Sequence, residues 1–233
     1  MPAAGRGSRL GYDLPKILYP VAGRPVLRWL LDLLGPNCQV VKVVLSPHGK
    51  APVDRYPGAY EVVIQEVPTG MGDAVKLALA GIATVNVVIV WGDQVALRRS
   101  SVDACMRLHA GPLQPDITCP TVFREKPYIH FDRNSADQIS GMRQAREGDS
   151  MPATGESDTG FFCLKTDVLR QLLTERHIGR LTREANFLPV IPLAIRMGYT
   201  VLTPHIMILE ETVGLNSKED VIAIEAFLSS RDR

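Results

Sequence analysis

The sequence predicts an α/β fold with a doubly wound, mostly parallel sheet. Short runs of β-branched residues alternate along the chain with segments at helical spacing, and this rhythm is typical of repeated strand–helix–strand units. The 233 residues are 45% apolar, which is enough for a substantial core. Helices are therefore expected on both faces of the sheet, and residues 1–233 are predicted to form a single domain.

The elements of the first half follow from periodicity and from end signals. A helix is expected between Pro25, suited to its first position, and Gly35, suited to its end. A Gly-Asp pair closes the clearest strand, at residues 86–93. Strands are predicted over residues 39–45, 61–65 and 86–93, and helices over residues 71–82 and 101–109.

The second half begins with a break in this rhythm. Residues 111–155 are rich in Pro, Asp, Arg and Ser and are predicted to be a partly antiparallel insertion. A strand over residues 159–165 and a helix over 166–175 then resume the pattern. A helix over 185–198 carries Pro189 and Pro192 near its start, and a strand pair or bent strand follows over 200–209. In the last helix, Ser217 and Asp220 have the spacing of a capping box.

Composition excludes several classes of function. The formal net charge is +1 and no Lys/Arg run occurs, so neither a nucleic acid nor an acidic membrane is expected as a partner. The four cysteines are scattered without zinc spacing, as in a reducing compartment. No signal peptide is recognised and no apolar run approaches ~18 residues, so a cytoplasmic protein is expected. The sequence leaves open whether it forms a homo-oligomer.

The first residues carry the strongest motif, AAGRGSRL followed by DLPKIL. Gly5 and Gly7 allow the backbone to approach phosphate oxygens closely. Arg9 can bind phosphates through two parallel hydrogen bonds, and Lys16 adds a compact positive charge. The pattern is neither a Walker A motif nor GxGxxG, which argues against P-loop NTPases and nicotinamide enzymes.

Together with VAGRPVL, this motif resembles the signature of sugar-phosphate nucleotidylyltransferases, most closely the uridylyltransferase domains of bacterial N-acetylglucosamine-1-phosphate uridylyltransferases. The resemblance implies that Arg9 and Lys16 are catalytic. It also implies a nucleotide-binding set, with Met71 in place of the usual Thr after Gly70. That set comprises Ala3, Ala4, Gly5, Gln65, Gly70, Trp91 and Gly92.

A metal site is expected at Asp93, because a carboxylate just after a buried strand lies where ligands bind in open α/β sheets. The resemblance implies that Asp93 binds Mg²⁺ and that Asn216, in GLNSKED, is the second protein ligand. Two oxygen ligands completed by phosphates and waters are a normal arrangement for this ion.

The acceptor side departs from the family pattern. Asp158, in DTGFF, replaces an Asn that touches the sugar, and Gln144, in SGMRQA, replaces a Glu. No Tyr-Gly-Arg follows Lys126. The resemblance therefore implies retained phosphate chemistry with an acceptor other than N-acetylglucosamine 1-phosphate.

The predicted reaction joins an NTP, with UTP favoured, to a sugar 1-phosphate and releases pyrophosphate. Two other interpretations stay open, namely a molybdopterin guanylyltransferase or polyol-phosphate cytidylyltransferase, and a non-catalytic NDP-sugar-binding protein. A glycosyltransferase of similar fold would need Asp-x-Asp, whereas the run at Asp93 is GDQVA.

The family places a hydrophobic strand before the Ala-Ala-Gly turn, but this sequence starts at Met1-Pro2. An empty position in the middle of the sheet would leave backbone groups unpaired. Three explanations for the missing strand are considered. The favoured one is a natural chain that begins earlier; the others are that a different segment takes that position, or that the protein has lost its function.

Overall fold

The computed structural model describes residues 1–5 and 10–231. The strands are β1 (Pro20–Val21), β2 (Arg24–Pro25), β3 (Lys42–Leu45), β4 (Glu61–Ile64), β5 (Asn86–Val90), β6 (Ile117–Thr118), β7 (Thr121–Glu125), β8 (Ile129–Arg133), β9 (Ile139–Gln144), β10 (Thr154–Asp158), β11 (Phe161–Lys165) and β12 (Val201–Leu202). The helices are α1 (Val26–Leu34), α2 (Pro47–Val53), α3 (Met71–Ala78), α4 (Arg99–Ala110), α5 (Thr166–Leu172), α6 (Val190–Arg196) and α7 (Lys218–Arg231).

The chain forms two compact units. The first comprises Met1–Pro68, Val90–Arg99 and Glu210–Arg233, and the second comprises Thr69–Ile89 and Ser100–Leu209. A single nucleotidyltransferase domain over residues 1–233 stays a prediction.

In the first unit, β3 and β4 pair in parallel from Lys42 opposite Glu61 to Leu45 opposite Ile64. The β-branched runs predicted both strands, although β3 begins later than residue 39. Helix α1 follows the prediction except at its start, because Pro25 precedes the first helical residue instead of occupying that position, and Gly35 continues into a short 3-10 turn.

The first three residues take part in this sheet. Pro2 bridges Val44 in parallel, with Ala3 N donating to Val44 O at 2.8 Å and Val44 N donating to Met1 O at 2.9 Å. On the other side of this segment, Gly92 N donates to Pro2 O at 3.0 Å. Residues 1–3 therefore make strand-like hydrogen bonds on both sides, directly before the Ala-Ala-Gly turn.

Helix α7 begins with the capping box that the sequence predicted. Ser217 N donates to Asp220 Oδ2 at 2.8 Å, and Asp220 N donates to Ser217 Oγ at 3.2 Å. The Asp220 carboxylate also accepts a hydrogen bond from Asn216 N at 2.9 Å. Two otherwise unpaired donors before the helix are thereby satisfied by one side chain.

In the second unit, the largest sheet has the strand order β12-β6-β11-β5. Strand β6 is antiparallel to β11 and parallel to β12. The region predicted as an antiparallel insertion contains the β8–β9 hairpin, and its strand β7 pairs antiparallel with β10. The strand pair or bent strand expected over residues 200–209 is wrong for most of that range, because only Val201–Leu202 form a strand there and Pro204 N has no hydrogen to extend a ladder.

The interior is apolar, as the composition predicted. Four phenylalanines are among the largest fully buried side chains: Phe131, Phe161, Phe162 and Phe187. All four cysteines are free thiols, and Cys105, Cys119 and Cys163 are buried. In the described part of the chain, no helix combines the length and the apolar character that crossing a membrane requires.

Candidate active site

Three predicted site residues meet in the first unit and form what we call the Lys16 cluster: Lys16, Asp93 and Asn216. Lys16 Nζ donates to Asp93 Oδ2 at 2.5 Å and to Asn216 Oδ1 at 3.2 Å. The side chains of Lys16 and Asp93 are only 19% and 20% exposed. Asp93 and Asn216 are 77 and 200 positions away from Lys16 in the sequence, and the fold brings both to its positive charge.

Each member of the cluster is held by local structure. Lys16 opens the 3-10 turn Lys16–Leu18, in which Ile17 and Leu18 are buried and fix the turn to the core. Asp93 lies in the turn after β5, where Gln94 N donates to Trp91 O and Leu215 N donates to Asp93 O, both at 3.1 Å. This last bond joins the two segments that carry Asp93 and Asn216.

The amide of Asn216 has a defined orientation. Its Nδ2 donates to Gly214 O at 3.1 Å, which leaves Oδ1 as the atom that faces Lys16. An amide oxygen and a carboxylate oxygen therefore point at the same cation. Such oxygens are the ligands that Mg²⁺ prefers, so the residues present fit the predicted metal. The described part of the chain contains no group of three or more His, Cys, Asp or Glu side chains that could hold a metal ion.

The glycine of Trp-Gly-Asp is required by close packing of two backbones. A Cβ at Gly92 would lie 2.7 Å from Ala3 Cβ and 2.8 Å from Pro2 O, well inside van der Waals contact. Gly92 thus lets the predicted metal-binding turn lie directly against the Ala-Ala-Gly segment. Trp91 is buried, in agreement with a packing role for its side chain.

A cavity of about 340 Å³ opens beside this segment. Its walls include Ala3, Ala4 and Gly5, the part of the predicted phosphate turn that the structure describes. Arg9, the other predicted catalytic residue, lies outside the described residues. The remaining lining residues are Tyr12, Asp13, Leu14, Pro15, Ser46, His48 and Gly49.

Gln65 and Gly70, predicted to bind the nucleotide base, fall in different units. Gln65 follows β4 in the first unit, is 3% exposed, and its backbone N donates to Leu45 O at 2.8 Å. In the second unit, Gly70 has a φ of 116°, and a Cβ there would lie 2.5 Å from Ala185 O. Gly70 is therefore required by close packing against the backbone of Ala185, and its contact with a base stays a prediction.

The predicted acceptor residues lie in the second unit. Gln144 ends β9 and is buried, and its Oε1 accepts a hydrogen bond from Arg146 Nε at 3.3 Å. Arg146 is held in turn by Glu184, at 3.0 Å, and by Asn186. Asp158 ends β10, and its Oδ2 accepts a hydrogen bond from Gly160 N at 3.0 Å.

Sequence reasoning did not single out Gly214 or assign Asp220 to the site. The sequence did contain a signal that Asp220 lies beside the site, because the capping box of Ser217 and Asp220 starts directly after Asn216. Gly214 offered no comparable signal, since its importance depends on how closely it approaches Asn216 and Asp93.

Comparison with known proteins gives the family. Residues 2–158, about two thirds of the chain, match the family described as the MobA-like NTP transferase domain. The chain belongs to this family. The predicted enzyme class, a nucleotidyltransferase, is thereby confirmed. Asn216 lies outside the matched residues, so its place beside Lys16 comes from the structure.

Curated relatives extend the similarity to nearly the whole chain. Bifunctional protein GlmU of Carboxydothermus hydrogenoformans is 28% identical over 222 residues, which are 93% of this chain and 49% of that protein. Bifunctional protein GlmU of Pelobacter propionicus is 26% identical over 239 residues, covering 98% of this chain and 51% of that protein. The chain thus spans about half the length of the curated relatives it matches.

Solved structures confirm the predicted fold class. A UDP-glucose pyrophosphorylase complexed with UDP-glucose superposes with a TM-score of 0.74 at 15% identity, covering 99% of this chain and 97% of that one. HddC from Yersinia pseudotuberculosis superposes with a TM-score of 0.64 at 17% identity, covering 97% of each chain.

Proposed function

We propose that this MobA-like NTP transferase moves a nucleotidyl group from an NTP, with UTP favoured, to a sugar 1-phosphate and releases pyrophosphate. The observation that carries the proposal is the Lys16 cluster, in which one ammonium meets the oxygens of Asp93 and Asn216. The UDP-glucose bound to one structural neighbour favours a sugar phosphate as acceptor. Such substrates agree with the cytoplasmic location expected from the sequence.

The proposed reaction does not require a general base. The oxygen of the acceptor phosphate is already anionic at neutral pH, so it can attack the α-phosphorus without losing a proton. Catalysis then consists of positioning and of neutralising charge on the phosphates. Lys16 would neutralise the α-phosphate and the incoming phosphate, and Arg9 would hold the β- and γ-phosphates that leave.

Asp93 and Asn216 would hold Mg²⁺ through their oxygens. When bound, this ion supplies Lewis-acid neutralisation of phosphate charge. The backbone contacts of Gly92 and Leu215 hold the segments that carry these two side chains before substrate arrives, which lowers the reorganisation that the reaction requires.

A pyrophosphate-release assay tests the proposal. The wild-type protein, with Mg²⁺, is incubated with pairs of one NTP and one sugar 1-phosphate. Lys16→Ala should reduce kcat by about 10²–10³, by analogy with the loss of one preorganised charge donor. Lys50→Ala is the matched control, because Lys50 forms an exposed pair with Asp54 in the same unit. Near-normal turnover by Lys16→Ala would contradict the assignment.

A second candidate follows from the description of the family as MobA-like. A guanylyltransferase acting on molybdopterin, or a cytidylyltransferase acting on a polyol phosphate, would keep the phosphate chemistry and change the base and the acceptor. A panel of four NTPs separates these from the uridylyltransferase. Nucleotide binding without pyrophosphate release from any pair would instead indicate the non-catalytic sugar-nucleotide-binding protein.

A further inference from the structure

The Lys16 ammonium makes contacts with the two oxygens that are proposed to bind the metal. Asp93 Oδ2 lies 2.5 Å from Nζ and Asn216 Oδ1 lies 3.2 Å from it, and the single charges of Lys16 and Asp93 balance. A phosphate-binding lysine is expected to present its ammonium to solvent or substrate, yet this side chain is mostly buried against the ligands. Its position therefore needs an explanation beyond phosphate binding.

The segments that carry the two oxygens are held by contacts that do not involve Lys16. Gly214 O holds Asn216 Nδ2, and the Asp220 carboxylate holds Asn216 N. Leu215 N holds the backbone carbonyl of Asp93. The two segments are therefore joined without Lys16, and Lys16 places its ammonium between the oxygens that they carry.

We infer that Lys16 takes the place of the divalent cation on Asp93 and Asn216 when no nucleotide is bound, and exchanges onto the phosphates when the metal binds. This inference rests on the proposed function for the identity of the two metal ligands. An oxygen 2.5 Å from an ammonium cannot also bind Mg²⁺, whose ligands lie at about 2.1 Å, without bringing two positive charges together. The exchange leaves Lys16 unpaired at the moment when phosphate oxygens need a partner.

Competition of this kind weakens the binding of metal alone. A partly exposed ion pair stabilises by about 1 kcal/mol at most, so Lys16 should reduce the apparent affinity for a free divalent cation about fivefold. Phosphates would remove this competition, because they draw Lys16 away from the two oxygens. The metal should therefore bind far better with the nucleotide than before it.

The test measures Mn²⁺ binding without nucleotide, by the electron paramagnetic resonance signal of the free ion. Mn²⁺ takes the same hard oxygen ligands as Mg²⁺. Lys16→Met should bind Mn²⁺ about fivefold more tightly than wild type. Lys50→Met removes the same charge from an exposed ion pair in the same unit, and its Mn²⁺ affinity should stay within twofold of the wild-type value. Lys16→Met combined with Asp93→Asn should lose the added affinity. Unchanged or weaker binding by a folded Lys16→Met protein would overturn the inference.

A second measurement uses the wild-type protein and needs no variant to fold. Lysine acetylation by acetic anhydride is followed by mass spectrometry with and without Mn²⁺ alone. Lys16 should become several-fold more reactive at saturating Mn²⁺, whereas Lys50 should not change. Equal labelling of Lys16 in both conditions overturns the exchange. These readouts are independent of turnover, so a protein that shows the exchange but releases no pyrophosphate contradicts only the proposed reaction.

Discussion

Gly214 shows how a single position can control the Lys16 cluster without contacting a substrate. A Cβ at this residue would lie 3.2 Å from Asn216 Nδ2 and 3.5 Å from Asp93 Oδ2. The first distance is too short for an unstrained contact, so Asn216 would have to move. The same backbone accepts the hydrogen bond that orients the Asn216 amide. Glycine at position 214 therefore protects the geometry of the two oxygens.

Gly214→Ala should raise the Mg²⁺ concentration needed for half-maximal activity about fivefold, which corresponds to losing one hydrogen bond of about 1 kcal/mol. Activity is measured as a Mg²⁺ titration of pyrophosphate release. Gly35→Ala is the matched control, because a Cβ at Gly35 meets nothing within 4 Å and its backbone is helical. Identical Mg²⁺ titrations of the two variants would contradict the role of Gly214.

Glu147, in the second unit, is a buried carboxylate with an unusual set of donors. It accepts hydrogen bonds from Thr182 Oγ1 at 2.5 Å and from Leu181 N at 2.7 Å. The Thr182 hydroxyl, followed by the Leu181 N–H, lowers the pKa of Glu147 to about 2. The carboxylate thereby ties the turn after β9 to the segment around residue 181.

This shift makes the stability of the protein depend on pH. The folded-state pKa lies below the unfolded value of about 4.3, so the stabilisation is complete above that value and is lost as pH falls towards 2. Glu147→Gln should lower the free energy of unfolding at pH 7, and its difference from wild type should shrink between about pH 4.3 and pH 2. Urea denaturation at several pH values measures this. The exposed Glu175→Gln serves as the control, and a difference that does not vary with pH would contradict the assignment.

At the scale of elements, the start of α7 links helix stability to the cation site. The Asp220 carboxylate caps the helix and at the same time holds Asn216 N and Ser217 N. The carboxylate that caps α7 thus also holds the backbone of Asn216, a proposed metal ligand. The stability of α7 and the affinity for metal are therefore expected to change together.

Asp220→Ala should lower the free energy of unfolding by about 1 kcal/mol, the usual effect of losing a capping side chain. It should also raise the Mg²⁺ requirement, because Asn216 loses one of its two supports. Ser230→Ala, near the other end of α7, is the control for a lost hydrogen bond in the same helix. If both variants reduce stability and neither changes the Mg²⁺ titration, Asp220 acts only as a cap.

The elements differ in how far the sequence could predict them. Strands β3, β4 and β11 follow from their β-branched or apolar runs, and the α7 cap follows from the spacing of Ser217 and Asp220. Strand β12 has two residues, and its ends depend on pairing with β6, which is distant in sequence. The link between Glu147 and Thr182 spans 35 positions and leaves no local pattern. The pairing of Asp93 with Asn216 came from the family resemblance, and the contact of both with Lys16 came from the structure.

At the scale of the whole molecule, the predicted functions are divided between the two units. The first unit contains the Lys16 cluster, and the second contains Gln144 and Asp158, where the sequence departs from the family pattern. Phosphate chemistry and acceptor choice are therefore expected to respond to separate sets of substitutions.

Restoring the family residues in the second unit tests this division. Gln144→Glu with Asp158→Asn should raise kcat/KM for N-acetylglucosamine 1-phosphate relative to other sugar 1-phosphates by about tenfold, the effect of one recovered polar contact to the acceptor. The new amide at position 158 still offers an oxygen to Gly160 N, and the new carboxylate at position 144 can pair with Arg146, so both changes suit their surroundings. The Mg²⁺ titration should stay unchanged because the Lys16 cluster is untouched. A variant with altered Mg²⁺ dependence and the wild-type acceptor preference would show that the two functions are not separable in this way.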